Sequence, residues 1–311
     1  MSDSLESISR KMGSARDLAS VVRTMKTLAA SSVGQYERAV RSLAEYYRTV
    51  ELGLVACIGH DRQTLIAAEE GKGDEAVGAI VFGSDQGLAG QFNDIVAEFA
   101  VHALNGLPGA KKIWAIGERV HARLADAGMP MGALFSVPNS VGAITVLVDQ
   151  IQLEVEQWRT GHSAGQVYLF HNKPGVGASY QPACQRLIPL DAQWLSHLTK
   201  LRWPDANLPQ VFGGQSSTLH ALVREYLFIS LFRTCAESLA SENTSRLLAM
   251  QRAEKNINEL MGTLTQKYNR QRQSSIDEEL FDVISGFEAL TGAARTPAAP
   301  RPLLDKPGIG A

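Results

Sequence analysis

Several things are scarce in this chain of 311 residues, and each scarcity removes a class of protein. Net charge is nearly absent: 30 basic residues stand against 32 acidic ones, for a formal charge of -2. No bulk field of either sign points to nucleic acid or to an anionic membrane. Cysteine is sparse, with only Cys57, Cys184 and Cys235, far apart and without CxxC spacing. An odd, dispersed set argues against a disulfide framework or a cysteine-held metal and suits a reducing compartment. No run approaches the ~18 apolar residues of a membrane span. The first residues, MSDSLESISRKMG, are polar and lack the apolar core of a signal peptide. A membrane role would therefore run through partner subunits.

Proline is missing from the first ~55 residues and again from Leu219 to Leu290. Both stretches carry apolar residues at alternating spacings of four and three. The first seam reads Ile8, Met12, Ala15, Ala19, Val22, Lys26, Ala29, Val33, Tyr36, Val40, Leu43, Tyr47, Val50 and Leu54; thirteen of the fourteen are apolar, and Lys26 is the exception. The second reads Leu222, Tyr226, Ile229, Arg233, Ala236, Ala240, Asn243, Leu247, Met250, Glu254, Ile257, Met261, Leu264 and Tyr268, with Arg233, Asn243 and Glu254 as interruptions. A repeat of 3.5 residues over such lengths predicts coiled-coil helices. They would be about 75 Å and about 105 Å long. Past Tyr268 the frame is expected to fail through RQRQSSIDEE and to recover at Leu280, Val283, Ile284, Phe287 and Leu290. Two such stripes in one chain need a partner. The economical arrangement is that they wrap each other, antiparallel, with a domain between them.

Residues 75–205 alternate short apolar runs with amphipathic segments. VGAIVFG, KKIWAIG, MGALFSVP, GQVYLFHN and CQRLIPL read as strands, and FNDIVAEFAVHAL, ERVHARLADAG and ITVLVDQIQLEVEQW as helices. That order predicts a mostly parallel, Rossmann-like sheet. Residues 60–76 read as a solvated connector, and residues 291–311, with four prolines in 21 positions, as an extended or disordered tail. The fold class is thus α/β with a long antiparallel coiled coil: an N-terminal helix over 1–58, an α/β domain over 75–205, a C-terminal helix over 210–290, and the tail.

After the first strand comes SDQGLAGQFN, residues 84–93. A phosphate-binding P-loop needs a lysine and a hydroxyl at fixed offsets, and a dinucleotide fold needs GxGxxG. Neither is present. Gly87 and Gly90 are read as glycines that let the backbone turn tightly, with Ser84 or Asp85 as a local turn or cap group. The seven histidines, His60 and His171 among them, lack partners at ligand or catalytic spacing. No catalytic, cofactor or metal residues are assigned.

Three stretches, taken in order, resemble the gamma subunit of F-type ATP synthases. VVRTMKTLAAS, residues 21–31, is similar to that family's N-terminal motif around a Met-Lys pair. SDQGLAGQFN resembles its "SDRGLCGGFN". LASENTSRLLAMQRAEKNINEL followed by YNRQRQSSIDEEL resembles its C-terminal signature. The resemblance covers roughly residues 1–290. It implies a central rotor shaft without a catalytic site or cofactor of its own. The shaft would stand inside the alpha and beta subunits, with epsilon and the membrane c-ring at its foot. It would lie at the cytoplasmic face of the bacterial inner membrane, bound there only through partner subunits. The resemblance further implies subunit contacts at Met25, Lys26, Arg246, Gln273 and Glu279, and an apolar bearing at Leu280, Val283, Phe287 and Leu290. Read from the residues alone, Lys26 could be a snorkelling lysine, the polar positions a solvated helix face, and the apolar four a coiled-coil core. This chain departs from the pattern at Gln86 (usually basic), at Ala89 (often cysteine), in SVGQY where a basic run is usual, at Asp277 (usually threonine), and in its tail. Those departures point to a variant or alternative ATPase. A stand-alone coiled-coil adaptor and a nucleotide-binding α/β enzyme are the rival readings.

Overall fold

The computed structural model describes residues 4–58, 76–160, 165–175, 179–190, scattered positions between 194 and 211, and 215–293. The 60–75 part of the connector and residues 294–311 of the tail lie outside the described residues. Helix α1 spans Leu5–Ile58, 54 residues. The last helix, α5, spans Gln215–Ala293, 79 residues. Ser4 begins α1 as an N-cap: its Oγ accepts a hydrogen bond from the Ser7 backbone N–H at 3.3 Å. Two compact units form. One holds Met1–Ser20 with Lys255–Ala311, and the other Val21–Glu254.

Within the larger unit, α1 and α5 run antiparallel. Lys26 meets Glu254, Tyr46 donates to Glu225 at 2.7 Å, and Tyr47 reaches the hydroxyl of Tyr226 at 3.3 Å. As position rises along α1, the partner's position falls along α5. None of the fourteen α1 seam residues is exposed, whereas Val21 and Leu28, off the seam, are. The 3.5-residue repeat therefore marks the buried stripe correctly, Lys26 included.

In the smaller unit, Ile8, Ala15 and Leu264 are buried. Here the structure corrects one expectation. The helix does not lose its frame past Tyr268: Gln271 and Ser275 continue the three-four spacing as half-buried residues. The recovered positions, Leu280 to Leu290, are exposed instead. Burial follows where the helix is covered, and the residue types there are polar, so a count of apolar positions misses it.

Between the helices lies a five-stranded sheet of order β3-β2-β1-β4-β5. The strands are β1 (Val77–Phe82), β2 (Lys111–Ile116), β3 (Met131–Phe135), β4 (Gln166–Pro174) and β5 (Tyr180–Ile188). The first four are parallel, and β5 closes the edge antiparallel to β4. Helices α2 (Phe92–Asn105), α3 (Glu118–Asp126) and α4 (Val141–Thr160) connect them. Strand β1 is buried along its whole length because both its faces are covered. Val77, Ala79 and Val81 pack with α2 and α3. Ile80 and Phe82 face the other way, into one core with α4, Tyr36 of α1 and Leu231, Phe232 and Leu239 of α5. The coiled coil thus shares its hydrophobic core with the sheet. At full burial each such side chain contributes about 1.5–3 kcal/mol.

Candidate functional site

In open α/β sheets, ligands bind beyond the carboxyl ends of the strands, where the strand order reverses. Here that point lies between β1 and β4, and the chain itself fills it. Asn172, at the end of β4, is fully buried and donates from Nδ2 to the Phe92 carbonyl at 2.8 Å. Its neighbour His171 pairs through Nε2 with Glu237 of α5 at 3.1 Å. Ser245 of α5 donates to the Ala89 carbonyl inside the glycine turn at 2.5 Å.

The turn's polar groups are also engaged within the chain. The Ser84 N–H donates to Asn93 Oδ1, Asn93 Nδ2 donates to Ser84 Oγ, and that hydroxyl donates to the Gln86 carbonyl. Asp85 accepts the Glu118 N–H on one oxygen at 3.0 Å and the Val137 N–H on the other at 2.9 Å. Glu118 opens α3, and a helix N-terminus is where a phosphate would be held. The carboxylate of Asp85 stands in that place. Gly117 allows the close approach: its φ is +111°, and a Cβ there would come 2.7 Å from the Ser84 backbone. Gly90 supplies a φ of +60° within the turn. The turn is a joint that fastens α2, α3, the segment after β3 and α5 together.

Helix α5 crosses the domain with an unusual buried face. Thr234, Glu237, Ser238, Ser241, Glu242, Asn243 and Ser245 are all buried. Burial by itself would raise the pKa of Glu237, but hydrogen bonds from His171 and Arg233, with their charges, outweigh it and hold the carboxyl below its ordinary value. Glu242 goes the other way. Burial raises its pKa against the pull of Arg246, which bonds it at 2.5 Å. The sequence reading gave neither glutamate a role, because on α5 it named residues only from the apolar seam and from the family resemblance. The signal was present in ESLASENTS, where small hydroxyl residues surround two acids.

The predicted site residues divide between the two units. Met25 is half-buried. Lys26 bonds Glu254 at 2.5 Å and keeps about a third of its side chain exposed, with Arg23 3.8 Å from the same carboxylate. Arg246 is no solvated residue: its side chain is 16% exposed, and it lines a cleft of about 210 Å³ with Ser32, Tyr36, Asp85, Gln86 and Glu242. These lie in the larger unit. Gln273 and Glu279 are exposed on α5 in the smaller unit, with Leu280, Val283, Phe287 and Leu290, each more than half exposed. Among the described residues, no three His, Cys, Asp or Glu side chains are placed to hold a metal ion. No described helix is long and apolar enough to cross a membrane.

Comparison with known proteins gives a consistent result. The family described as ATP synthase matches residues 4–290. The ATP synthase gamma chain of Syntrophus aciditrophicus is 26% identical over 300 residues, covering 92% of this chain and 98% of its own. That of Polynucleobacter asymbioticus is 25% identical over 308 residues, covering 92% and 99%. Among solved structures, a chain of the Euglena gracilis mitochondrial ATP synthase, from a structure of OSCP/F1/c-ring in rotational state 3, matches with a TM-score of 0.67 at 14% identity. It covers 96% of this chain and 99% of that one. A chain of the Tetrahymena thermophila mitochondrial ATP synthase, from a structure of the central stalk and c-ring, matches with a TM-score of 0.52 at 22% identity, covering 75% and 99%. At these identities the structural likeness speaks for the fold.

Proposed function

The chain belongs to the ATP synthase gamma-chain family, and from that premise we propose that it is the rotor shaft coupling ion-driven rotation of a c-ring to ATP synthesis or hydrolysis in the beta subunits. The observation that carries this reading is the pairing of α1 with α5 around a shared core, while α5 continues into a stretch whose apolar residues are exposed. A paired, core-anchored rod can transmit torque. An exposed apolar end suits a bearing, because apolar contact is non-directional and survives rotation. An asymmetric shaft biases each surrounding beta subunit toward a different state, so its angle and their nucleotide affinity are linked.

In this reading residues 1–58 and 210–290 are the shaft, 75–205 the foot, and 291–311 a tail beyond it. Alpha and beta subunits enclose the shaft, and epsilon and the c-ring hold the foot at the cytoplasmic face of the bacterial inner membrane. The chain itself carries no catalytic site. The filled switch point supports this against a nucleotide-binding enzyme. Met25, Lys26, Arg246, Gln273 and Glu279 serve as subunit contacts, and Leu280, Val283, Phe287 and Leu290 as the bearing. An ammonium has three donors, so Lys26 can keep Glu254 and still offer its exposed side to an acidic loop of a beta subunit.

The test is co-expression with alpha and beta subunits of the same source, purification through a tag on beta, and an ATPase assay. One copy of this chain per three beta subunits, with turnover collapsing when it is omitted, is expected. Equal assembly and turnover without it would reject the shaft in favour of a stand-alone coiled-coil adaptor.

A further inference from the structure

Ser275 is the last half-buried residue of α5, and every described residue from Ile276 to Leu290 is exposed. The apolar ones are not scattered. At about 100° per residue, Ile276, Leu280, Val283, Ile284 and Leu290 fall within one arc of about 120°. They are 52%, 56%, 70%, 44% and 77% exposed. A monomer rarely leaves a contiguous apolar stripe of this kind to water. Acids flank it on the same helical projection, Asp277 on one side and Glu279 on the other. Residues 276–290 hold Asp277, Glu278, Glu279, Asp282 and Glu288, and no lysine or arginine lies between Arg272 and the end of α5 at Ala293. What covers this stripe must bring apolar side chains together with positive charge.

A segment of that description is attached to the same helix. Residues 294–311 carry Arg295, Arg301 and Lys306 against one acid, Asp305, and their large apolar residues are Leu303, Leu304 and Ile309. The reach also fits. Leu280 stands about 20 Å back from Ala293 along the helix, at ~1.5 Å per residue. With 294–296 given to a reversal, residues 297–304 span about 25 Å at the ~3.1 Å per residue of an extended proline-rich chain. Pro297, Pro300 and Pro302 fix φ in that span, which lowers the entropy lost on docking. A second copy of the chain is a poorer match, because its own stripe brings the same acids and like charges repel.

We propose that residues 294–311 fold back along α5, with Leu303 and Leu304 seated on the stripe and Arg301 and Lys306 beside its flanking acids. The segment is then an intramolecular cap. It shields the stripe while the chain is alone, and any partner that takes the stripe must displace it. No step of this inference uses the rotor reading, and its test needs no other subunit.

The test uses the full-length chain with its exposed cysteine removed by Cys184→Ala; Cys57 and Cys235 are buried. Two variants are compared, each carrying Asp305→Cys. One adds Val283→Cys, on the stripe, and the other Ser285→Cys, on the opposite face of the helix. Disulfide formation is timed in dilute protein under a mild oxidant. Each rate is divided by the rate at which the same helix cysteine, alone, reacts with a small neutral disulfide. The intramolecular bridge is expected to form at least about tenfold faster on the stripe, beyond the millimolar effective concentration that a free tether offers either face. Leu303→Ser with Leu304→Ser should bring the two rates together, and Asp277→Lys with Glu279→Lys should slow the bridge on the stripe. Equal rates from both faces overturn the proposal, as does a stripe rate that either change leaves as it was. Covalent dimers in place of the intramolecular bridge also overturn it, and assign the stripe to a second copy.

Discussion

Helix α5 follows opposite rules at two places along its length. Over residues 234–245 it buries threonine, serines, glutamates and an asparagine; over residues 280–290 it exposes leucine, phenylalanine, valine and isoleucine. In the first stretch Glu237, Glu242 and Ser245 find partners inside the chain, namely His171, Arg233, Arg246 and the Ala89 carbonyl, while the Ser238 and Ser241 hydroxyls have none among the described residues. In the second, large apolar side chains face solvent at helical spacing, which a monomer rarely maintains over a contiguous surface. The difference teaches what each stretch is for. A buried polar belt fixes one orientation of the helix on its domain, since each hydrogen bond has a direction. An apolar surface fixes none, and suits a contact that must slide.

Breaking the belt should have the largest effect. Glu237→Ala strands a buried histidine and an arginine, and loss of one partner of a buried pair costs about 3–5 kcal/mol; urea unfolding of the full-length chain measures it. The same site predicts a pH dependence. The folded carboxyl lies below its ordinary value of 4.5, so its contribution is complete above that value and is lost as pH falls through the folded one. The stability gap between wild type and Glu237→Gln should therefore narrow as pH drops below 4.5. Next in size, Ser245→Leu puts three carbons where one hydroxyl oxygen stood, against the Ala89 turn, and should cost about 1–3 kcal/mol, visible as a lowered melting temperature. Ser245→Ala removes only the hydrogen bond and should cost about 1 kcal/mol. At the other stretch, Phe287→Ser should leave unfolding of the isolated chain within about 0.5 kcal/mol while altering ATPase turnover of the assembled complex. A Phe287→Ser variant that unfolds as easily as Glu237→Ala would erase the contrast between the two stretches.

Much of the fold was legible because it rests on periodicity. The seam from Ile8 to Leu54 is a repeat of side-chain type, and burial followed it residue by residue. The run VGAIVF, apolar at almost every position, announced a strand covered on both faces. At the turn of residues 84–93, Asp85 proved to be the cap its residue type suggested. What could not be read was pairing across long sequence separations. Nothing in the local pattern links Lys26 to Glu254, although both stood out as charges on apolar seams. Arg246 was noticed for a resemblance and not for Glu242 one turn earlier, whose burial depends on the sheet beneath it. Gln271 and Ser275 were passed over because a seam was sought only in apolar residues.

The most direct test of the central claim is rotation itself. The complex with alpha and beta subunits would be anchored through beta, and a light-scattering probe attached to a surface cysteine introduced on the α/β domain, at Gln157. On addition of ATP, the account predicts unidirectional rotation of the probe at a rate that tracks hydrolysis. A probe that stays fixed while ATP is hydrolysed at full rate would contradict it.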